Sequence, residues 1–348
     1  MIVKQGDITK YLRDYKEGRI ALGDGIGCDL DEAMRYKQGS FNLILGRNGV
    51  GKTYFKTWHQ LALSMKFREE KTMKWCIWTG ENKAGQVVRN LIQWYTGTHF
   101  KQLSMSEICR AEQEISQWFY FVDNSKMYKY KELLDVFESD DYSGCLIDPY
   151  TGLDREYSFG SNYDFLNETR QWVNQKNITV DVCTHPISSS GRAGAVYPKG
   201  HDWEGYIRNP YQSDVEGGDA FSNRMDDFIC LHRMKDHPTM KTYTQVYVYK
   251  IKDHDTGGME TEFEQPVLCE FNKGLGFKVN GINPLIEDNF VPLINHEPKP
   301  LPKNLAFEDT VQVSKQKLEA DKEQQRRDAI DKEIEDNGIE FTPTKQTL

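Results

Sequence analysis

Eight consecutive residues, Gly46-Arg47-Asn48-Gly49-Val50-Gly51-Lys52-Thr53, have the types and spacing needed to hold a triphosphate. Glycines at 46, 49 and 51 let the main chain wrap closely around an anion with its N–H groups turned inward, and a helix starting at Lys52 adds its positive N-terminal end. Lys52 then reaches the β- and γ-phosphates, Thr53 offers a hydroxyl to Mg²⁺, and Tyr54 continues the nucleotide-contacting stretch. A glycine-rich turn has the same letters. The position of these residues, between the apolar run 41–45 and a helical periodicity over 52–67, favours phosphate binding.

Three further residues stand where strand-like runs end. Glu81 follows the run 74–79, where a carboxylate would act as general base for water attacking the γ-phosphate; the alternative is a cap for the helix starting near Ala84. Asp148 ends the run 144–147 and is the expected partner of the Thr53 magnesium, although Asp148-Pro149 also favours a turn. His185 ends the run 178–184 and would sense the γ-phosphate by hydrogen bond, unless it is merely solvated.

These residues need a scaffold that brings several strand ends together. Strand-like runs at 41–45, 74–79, 118–122, 144–147 and 178–184 alternate with helical patterns at 52–67, 84–94, 104–116, 129–138 and 163–175. That alternation predicts an α/β fold with a mostly parallel sheet flanked by helices. After Asp226 the runs 228–232, 244–251, 267–271 and 276–279 follow one another directly, which predicts antiparallel hairpins at the C-terminal end of the sheet. The expected organisation is an arm over 1–40, a motor domain over 41–283, a proline-rich linker over 284–305 and a charged helical or disordered tail over 306–348.

The chain has 348 residues, 38% of them hydrophobic, enough for a sizeable core. Its seven cysteines include no C-x-x-C pair and read as small buried hydrophobes in a reducing compartment. No apolar stretch has the length of a membrane span and the first residues lack the shape of a signal peptide, so a cytoplasmic protein is expected, in a host cytoplasm if the source is viral. A formal charge of −9 argues against a broad basic surface, leaving nucleic acid to a few cations on particular loops.

Taken in order, these blocks resemble the RecA-like ring helicases of the replicative type found in bacteria, phages and mitochondria. The resemblance runs over roughly residues 25 to 280 and rests on Gly46 to Thr53, Glu81-Asn82, Leu146-Ile147-Asp148-Pro149-Tyr150, Thr184-His185-Pro186 and a terminal set from Asn223 to Phe271. It implies a RecA-like P-loop core, with ATP and Mg²⁺ as cofactors. It implies that Arg233 lies near the phosphates, that Phe271 stacks on the base, and that Lys250 and Lys252 act on the ATP of a neighbouring subunit. Lys252 stands where the family has an arginine, so turnover is slower or Arg233 or Arg224 takes that work; a solvated strand edge blunted by lysines is the plain alternative for both lysines.

The family grips DNA with loops facing a central channel. The matching stretches here are 152–162 and the long segment 187–219, whose Arg192, Lys199 and Arg208 among Gly, Ser, Tyr and Trp suit a mobile loop that tracks a phosphate backbone. A solvated excursion is the alternative. The implied function is an ATP-dependent DNA helicase motor that translocates on single-stranded DNA as a homo-oligomeric ring, a hexamer. About forty residues precede the motor, so a primase would be a separate protein; primase, loader or single-strand-binding protein would meet the charged tail, and the short arm would dock on the next subunit. Such a compact motor suits a viral, phage-type replication system. A filament-forming recombinase and an ATP-gated DNA-binding scaffold are the rival readings.

Overall fold

In the computed structural model, residues 2–20, 22–156, 158–191, 195–262 and 265–286 are described. The linker beyond 286, the charged tail and Arg192 lie outside the described residues. The elements run in the order α1 (Gln5–Lys16), β1 (Leu22–Asp24), α2 (Leu30–Ala33), β2 (Tyr36–Lys37), β3 (Phe41–Gly46), α3 (Lys52–Lys66), β4 (Trp75–Thr79), α4 (Ala84–Thr96), α5 (Met105–Ile115), β5 (Phe119–Phe121), α6 (Tyr130–Phe137) and β6 (Gly144–Asp148). They continue with α7 (Phe159–Lys176), β7 (Thr179–Thr184), α8 (Asp219–Arg224), β8 (Asp227–His232), β9 (Tyr243–Lys250), α9 (His254–Gly257), β10 (Val267–Phe271) and β11 (Phe277–Val279).

Nine of the described strands form one sheet in the order β11-β10-β9-β8-β3-β7-β6-β4-β5. From β8 to β5 every neighbouring pair is parallel, and β9, β10 and β11 add antiparallel strands at the far side. The parallel part is apolar on both faces because helices cover both. Within β3, Ile44 packs into the cluster that holds Phe55, Trp58 and Leu61 of α3, whereas Leu43 and Leu45 join Phe165, Leu166 and Val173 of α7 on the other side. Each strand alternates between two buried environments, so its sequence reads as one continuous apolar run.

One parallel edge gathers the carboxyl ends of β3, β4, β6 and β7. In register, Leu45 of β3 pairs with Thr184 of β7, and Thr79 of β4 pairs with Asp148 of β6. Ligands of open α/β sheets bind outside this edge, where loops from several strands converge. Strand β9 runs the other way, so Tyr243 lies toward this edge and Lys250, opposite Phe228, lies at the amino edge.

Residues 22–37, which hold β1, α2 and β2, bring Ile26, Leu30, Met34 and Tyr36 into the main core. What precedes them is α1, which buries no residue and turns Ile8, Tyr11, Leu12 and Tyr15 to solvent. Six cysteines are buried as expected, but Cys109 is exposed on α5. No described helix is long and apolar enough to cross a membrane.

Candidate functional site

The phosphate loop connects β3 directly to α3. Gly46 has no room for a side chain: a Cβ there would lie 2.8 Å from Val50 and 3.0 Å from the Leu231 carbonyl oxygen. Gly51 has φ +94°, in the left-handed region that other residues adopt only with strain, and this turn delivers Lys52 into the first turn of the helix. These constraints fix the loop locally. The chemistry comes from what the tertiary fold brings beside it.

The Lys52 ammonium donates to the Gly46 carbonyl oxygen at 2.9 Å and to His185 Nδ1 at 3.1 Å. Burial lowers the pKa of Lys52, and burial and then Lys52 lower that of His185, so the imidazole is neutral at pH 7. The tautomer with its proton on Nε2 accepts at Nδ1 from the ammonium, whereas the other would donate from Nδ1 to the Gly46 carbonyl oxygen 3.3 Å away; Nε2 lies 3.9 Å from Glu81 Oε1. Glu81 itself is solvent-exposed, at 64% of its side-chain area. It does not cap the following helix: that position is Lys83, whose main-chain N–H is accepted by Gln86 at 3.2 Å.

Across the cleft the Thr53 hydroxyl donates to the Asp148 carboxylate. Asn82 donates its side-chain amide to the same Thr53 oxygen at 3.3 Å, a contact for which its sequence position gave no warning. Asp148 closes β6 as a buried strand residue, not a turn, and burial raises its pKa against the opposing effects of Thr53 and Lys52. A buried carboxylate held at a hydroxyl is a hard-oxygen pair that suits Mg²⁺, which binds through one or two protein oxygens plus substrate phosphates. Among the described residues no cluster of three or more His, Cys, Asp or Glu offers an all-protein metal cage.

A second pocket wall is aromatic. Phe271 packs 5.7 Å from the ring of Tyr54, whose hydroxyl accepts from Trp94 Nε1 at 3.1 Å and from the Gly276 amide at 3.2 Å. Arg233 stands with this wall: its guanidinium lies 5.9 Å from the Phe271 ring and donates to the Lys241 carbonyl at 3.0 Å. A cation beside the loop is Lys235, with Nζ 3.4 Å from the Asn48 carbonyl oxygen. Nothing in the sequence distinguished Lys235 from a solvated lysine three residues beyond a strand.

Lys250 and Lys252 lie far from all of this. Lys250 donates to the Ser222 carbonyl at 2.9 Å, and Lys252 pairs with Asp226 at 2.9 Å. Strand β8 separates them from their own phosphate loop, a span of roughly 20 Å for six residues.

Within the segment 187–219 the described residues include regular structure. Residues 195–208 form a small hairpin, with Val196 bridging Ile207 and the Arg208 amide donating to Ala195 at 2.9 Å. Tyr197 and Trp203 bury themselves against Met234 and Met240, a satellite core that no periodicity announced. Lys199 is exposed near the hairpin tip, but Arg208 turns inward, stacked 3.7 Å from Tyr211 and 3.4 Å from Asp214. Of the other stretch, 152–162, the last residues form the first turn of α7, and Arg155 packs on Tyr150 at 4.3 Å.

The fold recurs in solved structures. The chain superposes on a solved ATPase domain with a TM-score of 0.60 at 14% identity, covering 80% of this chain and 99% of that one. It superposes on a DnaB-like replicative helicase, solved in a study of its interactions with primase, with a TM-score of 0.58 at 14% identity, covering 80% and 67%. The fold is that of the RecA-like P-loop ATPases. No family model and no curated protein matches the sequence. The RecA-like core accounts for the parallel sheet and its phosphate loop at the carboxyl edge, and for the antiparallel strands at the C-terminal end.

Proposed function

We propose that this chain is an ATP-hydrolysing DNA helicase motor that assembles as a closed homo-oligomeric ring, a hexamer, and translocates on single-stranded DNA. The observation that carries this reading is the division of cations between the two sheet edges. Lys52 lies in the phosphate loop of its own chain, whereas Lys250 and Lys252 are a strand length away and would act on the phosphate of another copy. A site completed by a neighbour needs an assembly, and the unburied apolar face of α1 supplies a surface for one.

In this reading Lys52 neutralises charge on the β- and γ-phosphates of ATP, and the main-chain N–H groups of 47–51 cradle them. Bound Mg²⁺, held by Thr53 and Asp148, would supply further charge stabilisation. Glu81 accepts the proton of the attacking water, its exposure leaving it accessible to solvent in the single chain. His185, neutral and aligned by Lys52, reports the γ-phosphate from the end of β7 to the segment beginning at Pro186. Phe271 stacks on the base beside Arg233, and the Lys199 hairpin contacts the DNA backbone. A separate primase, loader or single-strand-binding protein is the proposed partner of the charged tail.

The test is ATPase rate with and without single-stranded DNA, read beside the particle mass. DNA-stimulated turnover by a closed ring supports the motor. Filaments on DNA would favour a strand-pairing recombinase, and binding without turnover a gated scaffold.

A further inference from the structure

Arg47, the second residue of the phosphate loop, sends its side chain out of the loop and into the segment that follows β7. One terminal nitrogen donates to the Ser190 carbonyl at 2.6 Å and the other to the Arg208 carbonyl at 2.8 Å. These two acceptors lie at the root of the 195–208 hairpin. Arg208 closes it through its amide bond to Ala195, and Ser190 belongs to the turn Ser188–Gly191 that leads toward it. The fork therefore ties the phosphate loop to chain on both sides of the hairpin, 143 and 161 residues away in sequence.

The link is an expensive one for mere cohesion. The guanidinium is partly desolvated, its Nε is buried with no partner among the described residues, and both of its hydrogen bonds go to neutral carbonyls. The nearby Asp214 carboxylate is taken by the Tyr211 amide at 2.8 Å and by Arg208. A buried apolar side chain would hold the same surfaces together at lower desolvation cost. What a planar fork adds is geometry: two acceptors held in a fixed relation to the loop that carries the fork.

We propose that Arg47 is a positioning residue through which the phosphate loop sets the hairpin carrying Lys199, coupling nucleotide occupancy to grip on nucleic acid. The coupling half rests on the nucleic-acid reading above; the positioning half does not. It acts in series with the His185 route, since His185 stands at the start of the segment whose Ser190 accepts from Arg47. Because coupling of binding is reciprocal, DNA on the hairpin changes nucleotide affinity by the same factor as nucleotide changes DNA affinity.

The experiment compares wild type with Arg47→Met, which keeps length without donors, and Arg47→Lys, which keeps charge without the fork. Two readouts are taken with and without saturating Mg²⁺·AMP-PNP: hydrogen–deuterium exchange across 195–208, and affinity for a fluorescent oligo(dT). Nucleotide binding is followed directly with a fluorescent analogue. Wild type is expected to show nucleotide-dependent exchange and a change of roughly 5–150-fold in oligo(dT) affinity, the usual range of such couplings. Arg47→Met, still binding nucleotide, loses both responses to within about twofold, and Arg47→Lys keeps only part of them. A nucleotide-bound Arg47→Met or Arg47→Lys chain with the full wild-type responses overturns the link; should Arg47→Met not fold, Arg47→Lys decides alone. Wild type whose exchange responds to nucleotide but which binds no oligo(dT) supports the positioning role and overturns the nucleic-acid reading instead.

Discussion

Lys52 Nζ lies 3.1 Å from His185 Nδ1, so the lysine of the phosphate loop and the residue just after β7 share one hydrogen bond. Protonating His185 would place two positive charges in that contact. Its pKa, lowered by burial and by Lys52, keeps the imidazole neutral through the physiological range. A histidine whose folded pKa is depressed contributes stability that is present above its unfolded value and lost as pH falls toward the folded one. His232, pushed down to about 3 mainly by burial, acts in the same direction. Unfolding free energy is therefore expected to decline as pH drops below about 6.5, the ordinary histidine value. In denaturant titrations across that window, His185→Asn flattens the decline; an unchanged slope would remove His185 from this account.

Asp148 has the opposite sign. Burial raises its pKa, so its folded state favours the protonated form, and the stability it contributes at low pH is lost as pH rises through the folded pKa. Asp148→Asn is expected to stabilise the ligand-free chain at pH 7 by about 1 kcal/mol, or roughly 2–4 °C in melting temperature, while abolishing Mg²⁺-dependent turnover. Thermal melts and an ATPase assay on one preparation decide it, since loss of both stability and activity would mark Asp148 as purely structural.

Glu81→Gln keeps the shape of the side chain and removes its basicity. Turnover is expected to fall about 10²–10⁴-fold while nucleotide affinity stays within a few-fold of wild type. Near-normal hydrolysis by this variant would transfer the role of base elsewhere.

Composite sites complement. Chains carrying Lys52→Ala, or Lys250→Ala with Lys252→Ala, should each be inactive. Mixed, they regain part of the DNA-stimulated ATPase, because a neighbouring pair in the right order combines an intact phosphate loop with intact lysines. No recovery in mixtures of verified mixed composition would return Lys250 and Lys252 to their roles at the strand edge, where they contact Ser222 and Asp226.

Helix α1 buries nothing in its own chain, so Leu12→Asp should alter monomer stability by no more than about 0.5 kcal/mol. Its effect is expected in particle mass, measured by light scattering, with oligomers giving way to smaller species. An unchanged mass would free α1 from any part in assembly.

Much of this molecule was readable in advance because the signals are local. Runs such as 41–45 and 178–184 are apolar throughout, since buried parallel strands need no polar face, and β3 and β7 formed within a residue or two of them. The hairpin at 195–208 was hidden for the converse reason: Tyr197 and Trp203 find their partners in Met234 and Met240, more than thirty residues onward. The neighbours of Arg233 were equally hidden, since its bond to the Lys241 carbonyl and the Phe271 ring beside it join separate strands.

By itself the sequence determined the phosphate loop, because close backbone approach at Gly46 and the left-handed turn at Gly51 are demands that glycine meets locally. It also determined that Glu81, Asp148 and His185 would stand at or just beyond strand ends. Only the tertiary structure decided that Thr53 meets Asp148, that Asn82 braces Thr53, that Lys235 adjoins the loop, and that Arg47 reaches Ser190 and Arg208. The reason is physical: each of these contacts joins residues from separate strands or loops, and the packing of helices on both faces of the sheet sets the separations that spacing along the chain leaves open.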